Sequence, residues 1–167
     1  MRKIFGLGLF TLIACLTVGR AHAETPNLCS SDEVAYFSCV IKGSGKIASL
    51  CGSHQIGPDG SYLQYRFGKA PTPEMQFPAD KKNSVRQFRY EHYFRAQVDR
   101  TSIFFSNNGY EYEVFSDQEG DVKPPTLERG VRVTAPGANG KESTLLCGPQ
   151  FSGQKWDVLE SGLPAQN

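Results

Sequence analysis

Apolar and polar side chains alternate with a period of two through most of this chain, and the alternating runs are short and broken by glycine, proline and asparagine. That is the pattern of half-buried β-strands joined by turns. Residues 33–53 predict a hairpin. Phe37, Cys39 and Ile41 share one face of its first arm, and Ile47, Ser49 and Cys51 share one face of its second. Gly43-Ser44-Gly45 supplies the turn. Residues 62–67 predict a further strand, preceded by Gly57-Pro58-Asp59-Gly60, and a short one follows at 75–77 between two prolines. Residues 81–84 predict a polar loop.

A long alternating run comes next. Phe88, Tyr90, His92, Phe94, Ala96 and Val98 fall on one face, and Arg89, Glu91, Tyr93, Arg95, Gln97 and Asp99 on the other. It predicts one strand with a buried aromatic side. Residues 102–115 predict a hairpin around Asn108-Gly109, a pair suited to the positive φ angles of a type I′ turn. An acidic loop is expected over 117–125, with two more strands at 130–135 and 143–147. The tail from about residue 148 is less regular and reads as a loop or a single helical turn. The expected fold is all-β: an antiparallel barrel or sandwich of about eight strands in a single domain.

The N-terminus departs from this pattern. Met1-Arg2-Lys3 is followed by an uncharged apolar run to Gly19 and by Ala21-His22-Ala23, so residues 1–23 read as a secretory signal peptide cut before Glu24. Leu12-Ile13-Ala14-Cys15 offers an alternative, a bacterial lipobox with a lipid anchor on Cys15. The run is short for a membrane span of ~20 residues. Either way the expected location is the periplasm or the medium. Loss of Arg2, Lys3 and Arg20 with the leader leaves 15 basic against 17 acidic residues, a net charge of −2, which is no nucleic-acid-binding balance.

Export also changes the cysteine count. Cys29, Cys39, Cys51 and Cys147 remain after residue 23, and in an oxidising space they imply two disulfides. Folding the first hairpin near residue 45 sets Cys39 against Cys51, which favours Cys39–Cys51 and leaves Cys29 for Cys147.

Catalytic chemistry finds little purchase. His54 and His92 are the histidines beyond the leader; no G-x-S-x-G elbow and no two-histidine metal spacing occurs. His92 is expected as a packed structural histidine, and His54 as an exposed turn residue. The cysteines lack the close spacing of a zinc site, and Asp117 to Asp121 lacks the downstream glutamate of a calcium loop. The expectation is therefore a non-enzyme with no cofactor and no metal; a small periplasmic hydrolase and a structural envelope protein or lipoprotein are the alternatives. The binding candidates are Arg89, Tyr93 and Arg95 on a basic-aromatic strand, with Asn108 and Tyr110 at the hairpin tip, because tyrosine and arginine dominate protein interfaces.

The phrases Phe37-Ser38-Cys39, Ser49-Leu50-Cys51, Tyr62-Leu63-Gln64-Tyr65-Arg66-Phe67-Gly68, Gly130-Val131-Arg132-Val133 and Gly162-Leu163-Pro164 resemble a group of small exported proteobacterial proteins. That resemblance implies a small, exported, cysteine-bridged protein and carries no activity. Gly60-Ser61-Tyr62 and the Ser106 to Tyr110 turn are more loosely similar to the loops of periplasmic lysozyme inhibitors. This second likeness implies a binding protein that inhibits a cell-wall-active protein, with a protein or a cell-wall glycan as partner.

Overall fold

Pairing along the chain runs mostly from each strand to the next, because most turns are short enough to return the chain on itself. The computed structural model describes residues 25–153 and 155–166. The proposed leader and the lipobox cysteine lie outside them. The strands are β1 Val34–Ile41, β2 Ile47–Gly52, β3 Leu63–Gly68, β4 Pro73–Phe77, β5 Arg89–Arg95, β6 Val98–Asn107, β7 Tyr110–Glu119, β8 Thr126–Thr134 and β9 Glu142–Ser152. A 3-10 turn covers Ser84–Gln87, and a helix, α1, covers Trp156–Gly162. The nine strands form one antiparallel sheet in the order β4-β3-β2-β1-β9-β8-β7-β6-β5. The non-sequential neighbours meet at β1–β9, which joins the two sequential halves.

The sheet curls into an open half-barrel, and an aromatic cluster accounts for the curl. Phe77 of β4 stacks on Phe105 of β6 with ring centroids 4.8 Å apart, and Phe105 stacks on Tyr112 of β7 at 4.7 Å. Tyr65 of β3 lies 5.1 Å from Phe105. Strands near opposite ends of the sheet thus share one core. The two end strands, β4 and β5, are not hydrogen-bonded to each other. The free side of β5 is partly covered instead by the C-terminal segment: the Tyr90 amide donates to Pro164 O at 2.8 Å, and the Gln166 amide to Tyr90 O at 2.9 Å. Partial covering of this kind protects an edge from pairing with another chain.

Two expectations fail here, one through the register of a hairpin and one through an unforeseen turn. The bridges are Cys29–Cys51 and Cys39–Cys147, not Cys39–Cys51 and Cys29–Cys147. The first hairpin pairs Val40 with Ile47 and Cys39 with Ala48, so its centre lies before residue 45. Cys51 is an odd number of positions from Ala48 and points to the other face of the sheet, since successive side chains alternate. There it meets Cys29 on the N-terminal segment. Cys39 faces inward and reaches Cys147 on the neighbouring β9.

The long alternating run from Phe88 is also not one strand. It breaks at Ala96-Gln97, where Gln97 takes φ 66°, and Arg95 pairs with Val98. Gly120 packs here, donating its amide to Gln97 O at 2.6 Å. The expected acidic loop is shortened, because β7 continues through Glu119 before Gly120 to Pro125 turn the chain. The Asn108-Gly109 turn is as expected: both residues have positive φ, and Asn107 pairs with Tyr110.

Candidate binding surface

Strands β5 to β8 run further than the core they help to build. Tyr90, Ile103, Val114 and Val131 form a cross-strand row that is buried within the half-barrel. The next row on the same face is His92, Thr101, Ser116 and Arg129, and the last is Phe94, Asp99, Gln118 and Leu127. Among the described residues no opposing strand covers these two rows, and α1 faces part of them through Trp156 and Glu160. Phe94 is 71% exposed and Leu127 is 50% exposed, at the two sides of the final row. His92 therefore does not pack in an aromatic core as expected. Its ring is partly exposed and lies between two carboxylates, with Nε2 2.9 Å from Asp99 and Nδ1 3.7 Å from Glu160 of α1. The expected alternation is real, but the strand outruns the core.

The opposite face of the same strands carries a lattice of ion pairs. Arg132 donates to Glu113 at 2.8 Å and to Asp117, and its guanidinium lies 3.6 Å from the ring centroid of Phe115. That contact buries an aromatic side chain on the outward face of the sheet. Burial disfavours the Arg132 charge, but the hydrogen bonds of Asp117 and Glu113 outweigh it and raise the guanidinium above its ordinary value. Arg100 reaches Glu119 at 2.5 Å and lies over Tyr93, and Arg95 reaches Asp121 at 2.6 Å. The Arg95 bond holds the Asp121 carboxyl below its ordinary range. Both groups are exposed, so this pair fixes the orientation of Arg95 more than it stabilises the fold. Between these pairs lies a shallow depression of about 540 Å³, lined by five acids (Glu91, Glu113, Asp117, Glu119 and Glu128) against Arg100 and Arg132.

The five binding candidates do not form one patch. Tyr93, 47% exposed, and Arg95 share the outer face of β5 beside the Ala96-Gln97 turn. Arg89 lies on that face at the other end of β5, where its Nη1 donates to the carbonyls of Arg86 and Phe88. Asn108 and Tyr110 sit at the opposite end of the β6–β7 hairpin. From the Tyr93–Arg100–Asp117 row to Tyr110 is seven positions along β7, about 23 Å at ~3.3 Å per residue. Phe94 and Leu127 join Tyr93 and Arg95 at the end of the blade formed by β5–β8. The sequence pattern singles out neither, because the alternation puts Phe94 on a buried face and Leu127 falls in no expected element. A turn at Ala96-Gln97 would have exposed Phe94, but neither residue is a turn former.

One cluster has the elements of a metal site. Cys29 Sγ, Cys51 Sγ and a Glu33 oxygen converge. The two sulfurs are bonded to each other, which removes the thiolates a metal would need. The side chain of Glu33 is buried, and its carboxylate is already engaged by Arg66, Lys81, Tyr62 and the Ser30 amide. This donor set is committed to holding the N-terminal segment on the sheet.

Comparison of the chain with protein-family models, with curated proteins and with solved structures finds no match.

Proposed function

We propose that this is an exported binding protein that acts by covering a cell-wall-active protein, and that its contact surface is the end of the β5–β8 blade. The observation that carries the reading is the uncovered last row of the blade, with Phe94 and Leu127 on one side and Tyr93 and Arg95 on the other. Large apolar side chains held in water by a rigid sheet gain roughly 25 cal/mol per Å² when a partner covers them. Side chains held by a hydrogen-bonded ladder lose little entropy in the process. The adjoining depression, richer in acids than in bases, favours a basic partner. The leader read at residues 1–23 would deliver the protein to the compartment where such partners work.

Affinity capture from periplasmic extract and from a panel of cell-wall-lytic enzymes tests this reading. Each of Tyr93→Ala, Phe94→Ser and Leu127→Ser is expected to weaken the captured complex by about tenfold or more, the scale of an interface hot spot. Their thermal midpoints should stay near the parent value, because these residues lie outside the core. Asn108→Ala with Tyr110→Ala, at the far end of the hairpin, should leave capture unchanged. Equal capture by the parent and the three blade variants would overturn the proposal, and so would loss of capture on changing Asn108 and Tyr110 alone.

A further inference from the structure

We propose that the groove between α1 and the inner face of β6–β8 is a binding site for a small monocarboxylate sugar, with Arg129 taking the carboxylate and Trp156 flanking the ring. The groove adjoins the protein contact at the blade end and shares Leu127 with it, but Arg129 and Trp156 belong to the groove alone. The groove measures about 170 Å³, and its lining includes Asp99, Thr101, Ser116, Gln118, Arg129 and Trp156.

Arg129 is the group that distinguishes it. Arg95, Arg100 and Arg132, on the same strands, each hold a carboxylate. Among the described residues no carboxylate pairs with Arg129. Its Nε donates to Ser116 Oγ at 3.2 Å, and its guanidinium stacks 4.0 Å from the centroid of the Phe151 ring. These two contacts fix the plane of the guanidinium. Its terminal nitrogens make no hydrogen bond to a described residue, which leaves the two-pronged edge free. The side chain is half-buried, and loss of water around it lowers its basicity from the ordinary arginine value. A partly desolvated, oriented and unneutralised guanidinium is suited to a bidentate carboxylate.

The rest of the lining selects the body of the ligand. A volume of about 170 Å³ is below the ~300 Å³ at which drug-sized pockets begin, so the groove takes one ring or the end of a chain. The Thr101 and Ser116 hydroxyls and the Gln118 amide both donate and accept. The Asp99 carboxylate accepts only, and it disfavours a second negative charge on the ligand. A dianionic phosphate is therefore a poorer fit than a monoanion carrying hydroxyls. Trp156 offers an apolar wall to the C–H face of a sugar ring. One carboxylate, several hydroxyls and a flat apolar face together describe a hexuronic acid.

Trp156 is the single tryptophan of the chain, so its emission reports directly on the groove. The exported domain, residues 24–167, is titrated with glucuronate, glucose, inorganic phosphate and a short peptide with a free C-terminal carboxylate. Glucuronate should change the emission saturably, and glucose and phosphate should bind at least about tenfold more weakly. Arg129→Gln should lose about tenfold or more in glucuronate affinity, with Arg129→Lys falling between. Chemical-shift changes confined to the Thr101, Ser116 and Gln118 amides of the parent protein give a readout that does not depend on the variants folding. No response to glucuronate would overturn the proposal. So would equal binding of glucose or phosphate, or tighter binding of the peptide.

Discussion

Replacing Cys39 and Cys147 together by alanine is expected to lower folding stability by about 5 kcal/mol, against about 3 kcal/mol for the matching change at Cys29 and Cys51. The difference comes from the chain each bridge closes. Cys39 and Cys147 are 108 residues apart in sequence, and Cys29 and Cys51 are 22 apart. In the chain-entropy model the longer loop removes more freedom from the unfolded state. The native structure adds a second reason. The half-barrel has one seam between its sequential halves, at β1–β9, and the ladder there is irregular, with a register shift between Cys39 and Ile41. The Cys39–Cys147 bridge ties that seam covalently. Under oxidising conditions the thermal midpoint should fall by roughly 10–20 °C for the Cys39/Cys147 variant, and by clearly less for the Cys29/Cys51 variant. Non-reducing peptide mapping of the parent should recover these two pairs. Equal midpoints for the two variants, or the reverse order, would show that the seam does not limit the stability of the sheet.

The strand pattern was legible because most strands have one face in the core and one outside it. The Asn108-Gly109 hairpin was the plainest case, since its turn chemistry and its alternation agree. The disulfide partners were not legible, because a hairpin's register depends on where the turn closes. A small displacement of the turn moved Cys51 to the other face and exchanged both bridges. The break at Ala96-Gln97 was hidden for a different reason. Gln97 adopts a left-handed conformation without being glycine or asparagine, held by the Gly120 contact that is distant in sequence. That missed turn had the largest consequence for the candidate site. It made Phe94 look buried and His92 look structural, when both lie beyond the core. Tyr93 and Arg95 were legible as residue types on a strand face. Their separation from Asn108 and Tyr110 was not, because it depends on the length of the β6–β7 hairpin rather than on its sequence pattern. Arg129 could not be singled out either, since an arginine lacking a carboxylate is recognisable only once its neighbours are placed.

The polar face of β1–β3 hides the other large effect. Gln64 and Arg66 alternate with the core residues Leu63 and Tyr65, so the pattern places them in water. The N-terminal segment instead crosses over them and buries them with Ser38 and Ser49. Arg66 donates to both oxygens of Glu33, at 2.5 and 2.8 Å, and also to the carbonyl of Leu28 and the side-chain carbonyls of Gln64 and Gln76. The side chain of Glu33 is 0% exposed and that of Arg66 is 8% exposed, so neither charge has water to fall back on. Removing Arg66 leaves the buried Glu33 carboxylate with the half-exposed Lys81 as its counter-charge, and Arg66→Met is expected to destabilise the fold by about 3 kcal/mol. Arg66→Met combined with Glu33→Gln should recover part of that loss, because it removes the buried charge that Lys81 alone compensates.

The same network sets the response to acid. Burial alone would raise the Glu33 carboxyl, but hydrogen bonds from Arg66, the Ser30 amide and Lys81, with the Arg66 charge, lower it from 4.5 to about 2. Between those two values the unfolded chain takes up a proton that the folded protein does not, so acid favours unfolding. The contribution of Glu33 is therefore complete above about pH 4.5 and is lost as the pH falls towards 2. Denaturant midpoints measured from pH 7 to pH 2 should decline steeply over that window in the parent. Glu33→Gln should start from a lower stability at neutral pH and decline less over the same window. Parallel curves for the two proteins would mean that Glu33 titrates alike in the folded and unfolded states, and that the ion pair does not hold the N-terminal segment down.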